Sequence, residues 1–335
     1  MCSGMRLHRS ARILASLVTL GFASVLFIAF ETRGYVWLLQ SDAQHFFGVA
    51  LDPFGSGTTL APLPGVGTAY RYGRILYPLL AWGLALGQIT WIPYTFPLVY
   101  LAGVWCLVAV TCDWCVSAGR PAWLGFAAVP VIGATLPHLL PEAWIAALIL
   151  WLYRCVLRGH DRTAYGVAVL LLLTRETAIF ALAPLVLLAL RDRQYRRVLA
   201  WSTTVLPLLL WYAWLRVRMG CWPFLDPGAA VNHPLDLPIR GFLAFAWLAP
   251  GTPLAAVALA AWLLLALATW VALRTRTLLG SGALAMALIV VCFGPGQATM
   301  PFEACRLMIP MLIPLVLAIL TRPRSLQQRR EVVAL

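Results

Sequence analysis

Asp42 is the residue of this chain best placed to do chemistry. It follows the first long apolar run and opens the stretch Ser41 to Phe47, SDAQHFF. A carboxylate in that position can take a proton from a hydroxyl group, the work of a general base. Further on, the run Tyr70 to Pro78, YRYGRILYP, carries Arg71 and Arg74, and the motif Thr174 to Thr177, TRET, carries Arg175 and Glu176. A guanidinium fork matches phosphate oxygens in shape and charge. A base accompanied by several such forks suits a lipid-linked, anionic substrate. His45, three positions after Asp42, could join it on one metal ion or one acceptor sugar, but two ligands make a weak metal pattern and no metal or other cofactor is expected. Arg306 lies three positions after Glu303 in FEACRLMIP, so the two share a helix face and can pair locally. Each of these residues also has a plainer reading: a loop acid that stays in water, an ion pair, a turn.

These groups have to be positioned by a chain that is overwhelmingly apolar. Hydrophobic residues make up 62% and charged residues 11% of its 335 positions, and mean hydropathy is +0.85. Apolar runs of bilayer-spanning length recur from Ile13 to Leu320, which a water-soluble core of this size would not need. The expected fold is therefore an all-α, polytopic membrane protein forming a single transmembrane domain over residues 1–335. The net charge of +13 comes from 25 arginines and no lysine. Because the basic residues form short clusters between apolar runs, they set orientation rather than bind a nucleic acid backbone.

Spans are expected at roughly 13–30, 94–116, 122–137, 141–157, 163–174, 177–190, 199–217, 252–273, 277–293 and 304–320. The first is too long for a signal-peptide core and lacks a small-x-small cleavage site after it, so it reads as a retained anchor. Ten spans put both termini in the cytoplasm, with 17 arginines and four acids inside against eight arginines and eight acids outside. That is the asymmetry of the positive-inside rule. It holds only if residues 75–92 do not cross, so they are expected to form an interfacial or re-entrant helix within the outer loop 31–93. The second outer loop covers 218–251 and the cytoplasmic tail 321–335. The segments 163–174 and 177–190 are short for a core of about 30 Å at about 1.5 Å per residue. They read as a hairpin whose tip, Arg175 and Glu176, stops below the outer surface, where charges need a wet cavity or a partner.

The pattern resembles the GT-C superfamily of polyprenyl-phosphate-sugar-dependent glycosyltransferases, most nearly the GPI mannosyltransferase II type and its bacterial relatives. Asp42 matches the first-loop Asp of those enzymes. Arg74 to Leu80, RILYPLL, is similar to their aromatic-Pro-Leu helix, and Pro137 to Glu142, PHLLPE, to their luminal Pro-to-Glu turn. Thr174-Arg175 resembles the hairpin-tip Thr-Arg, and Arg306 to Pro310 the start of the last span. Ser41 departs from the pattern where a Trp often stands, and no paired-acid motif follows Asp42. The resemblance implies hexosyl transfer, mannosyltransferase-like, in a bacterial plasma membrane. The donor would be a polyprenyl-phosphate sugar, the acceptor a glycan, lipid or protein of the cell envelope, and the reaction inverting. It assigns Asp42 as base; the match of a guanidinium fork to phosphate oxygens makes Arg71, Arg74, Arg175 and Arg306, in decreasing ease of access, the candidates for the donor phosphate.

Other residues are expected to be structural. Asp52 precedes Pro53 and reads as a turn residue, and Trp222, Asp226, His233 and Asp236 belong to an irregular outer loop. Cys112 and Cys115 form a Cys-x-x-Cys within a span, without the strand-helix context of a redox motif, and read as helix packing. Cys221 and Cys305 both face outward in this scheme and could pair. A transporter or flippase of lipid-linked precursors, or a non-catalytic scaffold, are the rival readings. The chain shows no internal repeat, and its charges gather at one face rather than at the midplane where transporters bind.

Overall fold

The computed structural model describes residues 7–39, 42–55, 69–129, 132, 139–226, 253–275, 277–291 and 312–321. Among them every regular element is helical. Three stretches are long and apolar enough to cross a membrane by length and composition: Arg9–Arg33, Ile89–Ser117 and Tyr195–Met219.

Helix α1 (Arg9–Arg33) packs along α6 (Ile92–Ser117). The contact uses small residues: Ala11 and Ala15, one turn apart, are fully covered, and this lets the two backbones approach. The face of α1 turned away from α6 is bare, with Leu17, Leu20 and Phe27 at 61–65% exposure, as expected of a helix with lipid as its solvent. By contrast, α6 is covered on nearly all sides. It carries α1, the 3-10 turn Ala122–Ala128, α5 (Leu76–Leu84) and α7 (Glu142–Leu157). At Gly125 a Cβ would come within 2.8 Å of the Cys112 backbone nitrogen. Cys112 and Cys115 thus lie buried at a tight helix contact, which is a packing role.

Between α1 and α6 lie four short helices, α2 (Tyr35–Leu38), α3 (Ala43–Leu51), α4 (Ala69–Tyr72) and α5. At nine residues α5 extends about 13 to 14 Å, less than half the depth of a hydrocarbon core. After α7 the chain turns through Arg158 and His160 into α8 (Asp161–Thr174), a 3-10 segment Glu176–Leu182 and α9 (Ala183–Arg191). The second arm of this hairpin therefore begins as a 3-10 turn. Arg175 is extended, and Pro184 supplies no N–H to carry an α-helix back through Phe180.

The span expected at 199–217 begins earlier and is broken. It comprises α10 (Tyr195–Thr203) and α11 (Leu206–Met219), with Thr204 and Val205 between them. Pro207 explains the break, since it cannot donate to the Thr203 carbonyl. That oxygen instead accepts from the Tyr165 hydroxyl at 3.3 Å. Helices α12 (Pro253–Thr275) and α13 (Leu278–Val291) form an antiparallel pair, α13 packing on α9 and on Glu176–Leu182, and residues 312–320 are helical. The expected segment 122–137 falls partly outside the described residues.

Aromatic donors recur where backbone is irregular. The hydroxyls of Tyr77 and Tyr153 reach the carbonyls of Leu139 and Ala181 at 2.7 and 2.8 Å, and the Trp211 indole donates to Tyr72 at 2.8 Å. In an apolar surrounding such carbonyls have no water to accept from, so these side chains stand in for it.

Candidate functional site

One end of the bundle collects Asp42, His45, Arg71, Arg74, Arg175 and Glu176. The C-terminus of α1, the N-termini of α6 and α7, the C-termini of α8 and α11, and the short helices α3 and α4 all lie at this end.

Asp42 occupies the turn immediately before α3, and its backbone carbonyl accepts from the N–H groups of His45 and Phe46. Its carboxylate Oδ1 receives Arg71 Nη1 at 2.9 Å. Both partners are partly accessible, at 19% and 14% of their side chains, which makes Arg71 the most accessible of the three arginines here. Arg74 lies deeper. It forms a two-pronged pair with Glu176, Nε to Oε2 at 3.2 Å and Nη2 to Oε1 at 3.0 Å, and also donates to the Tyr70 hydroxyl at 2.7 Å. The Tyr70 ring lies 5.5 Å from the Arg71 guanidinium carbon and 5.1 Å from that of Arg74, within cation–π range of both. Burial works against the charge on Glu176, but Arg74, by charge and hydrogen bonds, and then Arg175 outweigh it and hold the carboxyl down at about 2.

Arg175 and Glu176, adjacent in sequence, do not neutralise each other. Arg175 is extended and reaches Glu142 at 3.3 Å, whereas Glu176 turns to Arg74. Glu142 is the first residue of α7, where a carboxylate faces the positive end of the helix. It is set there by the turn containing Leu139, whose φ of 43° is costly for a branched residue. The Tyr77 hydroxyl on the Leu139 carbonyl helps to hold that turn. Leu139 to Glu142 is thus a strained support for an arginine-binding acid.

His45, on the first turn of α3, has a buried Nδ1 with no hydrogen-bond partner among the described residues. Burial and then the Arg71 charge lower its pKa, against the pull of Asp42, so the imidazole is neutral at pH 7. Among the described residues no three of His, Cys, Asp and Glu come together as metal ligands. Arg306, Glu303, His233, Asp236 and Cys305 lie outside the described residues.

Sequence reasoning missed three contributors. Asp226, read as part of a passive loop, accepts the Tyr70 backbone N–H at 3.1 Å and so fastens α4 to the chain following α11. Tyr70 bridges the arginines and Asp226, and Glu142 pairs with Arg175. The four-residue spacing of Tyr70 and Arg74 is a local signal that could have been used. The partner of Asp226 lies 156 positions away, which no local pattern can reveal.

Four carboxylates, Asp42, Glu142, Glu176 and Asp226, interleave here with three arginines, Arg71, Arg74 and Arg175, and the ion pairs fix where each guanidinium points. No protein-family model, characterised protein or solved structure gives a significant match to this chain.

Proposed function

We propose that the protein is an integral membrane glycosyltransferase of the GT-C type, passing a sugar from a polyprenyl-phosphate donor to an acceptor hydroxyl at the extracytoplasmic face. In this reading the chain makes ten spans with both termini in the cytoplasm of a bacterial cell, and the charged end of the bundle faces outward. The observation that carries it is the convergence of Asp42, Arg71, Arg74 and Arg175 at one end of an apolar bundle, from three separate regions of the sequence.

The donor phosphate first meets Arg71, which is the more accessible guanidinium and holds its carboxylate by one hydrogen bond, rather than Arg74, which holds Glu176 by two. Taking Arg71 onto phosphate releases its hold on Asp42 Oδ1. Asp42 then accepts the proton of the acceptor hydroxyl as the acceptor oxygen bonds to the anomeric carbon. The bond from that carbon to the phosphate oxygen breaks, and its electron pair leaves on a phosphate steadied by arginine. A single displacement inverts the anomeric centre. Neutral His45 lies beside this centre and is suited to hold an acceptor sugar.

Asp42→Asn tests the reading in membranes supplied with a polyprenyl-phosphate sugar. It keeps the shape of the side chain and removes the base, so transfer is expected to fall about 10² to 10⁴-fold while donor binding and membrane abundance stay near wild type. Transfer within about threefold of wild type, well short of that range, rules Asp42 out as the base.

A further inference from the structure

The opposite end of the bundle holds a second charged cluster that the glycosyl-transfer reading does not use. Asp113, on the last turns of α6 and 2% exposed, receives Arg154 Nη2 at 2.5 Å and Arg158 Nη2 at 3.7 Å, together with the backbone N–H of His8 at 3.3 Å. Arg154 also donates to the Ser117 hydroxyl, and its guanidinium lies 5.3 Å from the Trp114 ring, so its position is fixed. Two arginines on one carboxylate leave one net positive charge. The C-termini of α6 and α7 offset part of it. Arg120, which follows α6 and acts electrostatically on Cys115, and the N-terminus of α1, which has no acid in its first turn, add to it again.

The donors here are not saturated. Arg154 Nε is buried without a hydrogen-bond partner, and the Arg158 guanidinium, about a third exposed, makes no hydrogen bond among the described residues. Asp113 lies four residues from the end of α6, or about 6 Å along its axis, the depth at which headgroups meet the hydrocarbon core.

We propose that Arg158, backed by Arg154 and Arg120, binds the phosphodiester of an anionic phospholipid at this end of the bundle. The ligand chemistry is a phosphate oxygen pair against a guanidinium fork, and the acyl chains lie along the bare apolar face of α1. The inference rests on the membrane part of the functional reading and not on glycosyl transfer.

The test uses the full chain in a neutral detergent, with bound lipid counted by native mass spectrometry and thermal stability followed in parallel. Dioleoyl-phosphatidylglycerol should bind and stabilise, with dioleoyl-phosphatidylcholine doing so distinctly less. Arg158→Gln should weaken phosphatidylglycerol binding about fivefold, the loss expected for one arginine near a lipid surface, and Arg158→Lys should retain most of it. Arg197→Gln, at an exposed arginine paired with Asp161, serves as the control and should change nothing. Equal effects of the two lipids, or unchanged phosphatidylglycerol binding by Arg158→Gln, would overturn the proposal. So would an equal effect of inorganic phosphate, which would mark the site as one for a free anion. Recovery of the chain in the soluble fraction without detergent would defeat the membrane reading as well.

Discussion

The two ends of the helical bundle are built on opposite charge plans. At the Asp42 end each arginine has its own carboxylate, and the pairs join segments 29, 33 and 102 positions apart. At the Asp113 end two arginines four positions apart, one on the last turn of α7 and one just after it, converge on a single acid. The first plan cross-links short, irregular elements that have little core of their own. The second leaves a positive excess where two long helices already hold each other through apolar contacts. An ion pair at the first end therefore serves geometry, and one at the second end serves charge.

The comparison is broken most directly by neutralising one acid at each end. Asp113→Asn takes the counter-charge from two arginines, one of them buried, and Glu142→Gln removes one acid facing a single arginine. Removing one partner of a buried pair costs about 3 to 5 kcal/mol, and Asp113→Asn should fall at the upper part of that range. Chemical or thermal unfolding in a zwitterionic detergent gives the order. A larger loss for Glu142→Gln would mean that the Asp42 end, and not the long helices, carries the greater electrostatic load.

A smaller effect is expected from the two-pronged pair. In a double-mutant cycle of Arg74→Ala and Glu176→Ala, coupling of about 0.5 to 3 kcal/mol should appear in stability, because the two groups share a pair of hydrogen bonds. The matching cycle for Arg71 and Asp42 should give less, because that pair shares one hydrogen bond where Arg74 and Glu176 share two. Equal coupling in the two cycles would show that the second hydrogen bond adds nothing to the Arg74 pair.

The finest test is acid titration. Glu176 ionises at about 2 in the folded protein against an ordinary 4.5, so its contribution is fully present above about pH 4.5 and is lost as pH falls towards 2. The stability difference between wild type and Glu176→Gln should be flat from pH 7 to pH 5 and shrink below that. A difference that shrinks already between pH 7 and pH 5 would show that Arg74 does not hold this carboxylate.

The helical class, the apolar surfaces and most helix positions were legible in the sequence, because span length and hydropathy are local properties that lipid or packing must satisfy wherever the helix ends up. Asp42, Arg71, Arg74, Arg175 and Glu176 were legible as candidates for the same reason, since charge is conspicuous in an apolar chain. Their pairing was not. The local reading left the tip charges Arg175 and Glu176 needing a wet cavity or a partner, and only the packing of α7, α8 and the chain around α4 decided that Arg175 meets Glu142 and Glu176 meets Arg74. The break at Thr204 follows from Pro207 in the sequence, but the hydroxyl that satisfies the freed carbonyl comes from Tyr165, 38 positions away. Local patterns state what a segment needs, a cover for its apolar face or a counter-charge for its arginine. Which distant group supplies it is set by the three-dimensional course of the helices, and that is where tertiary structure decided what the sequence by itself left open.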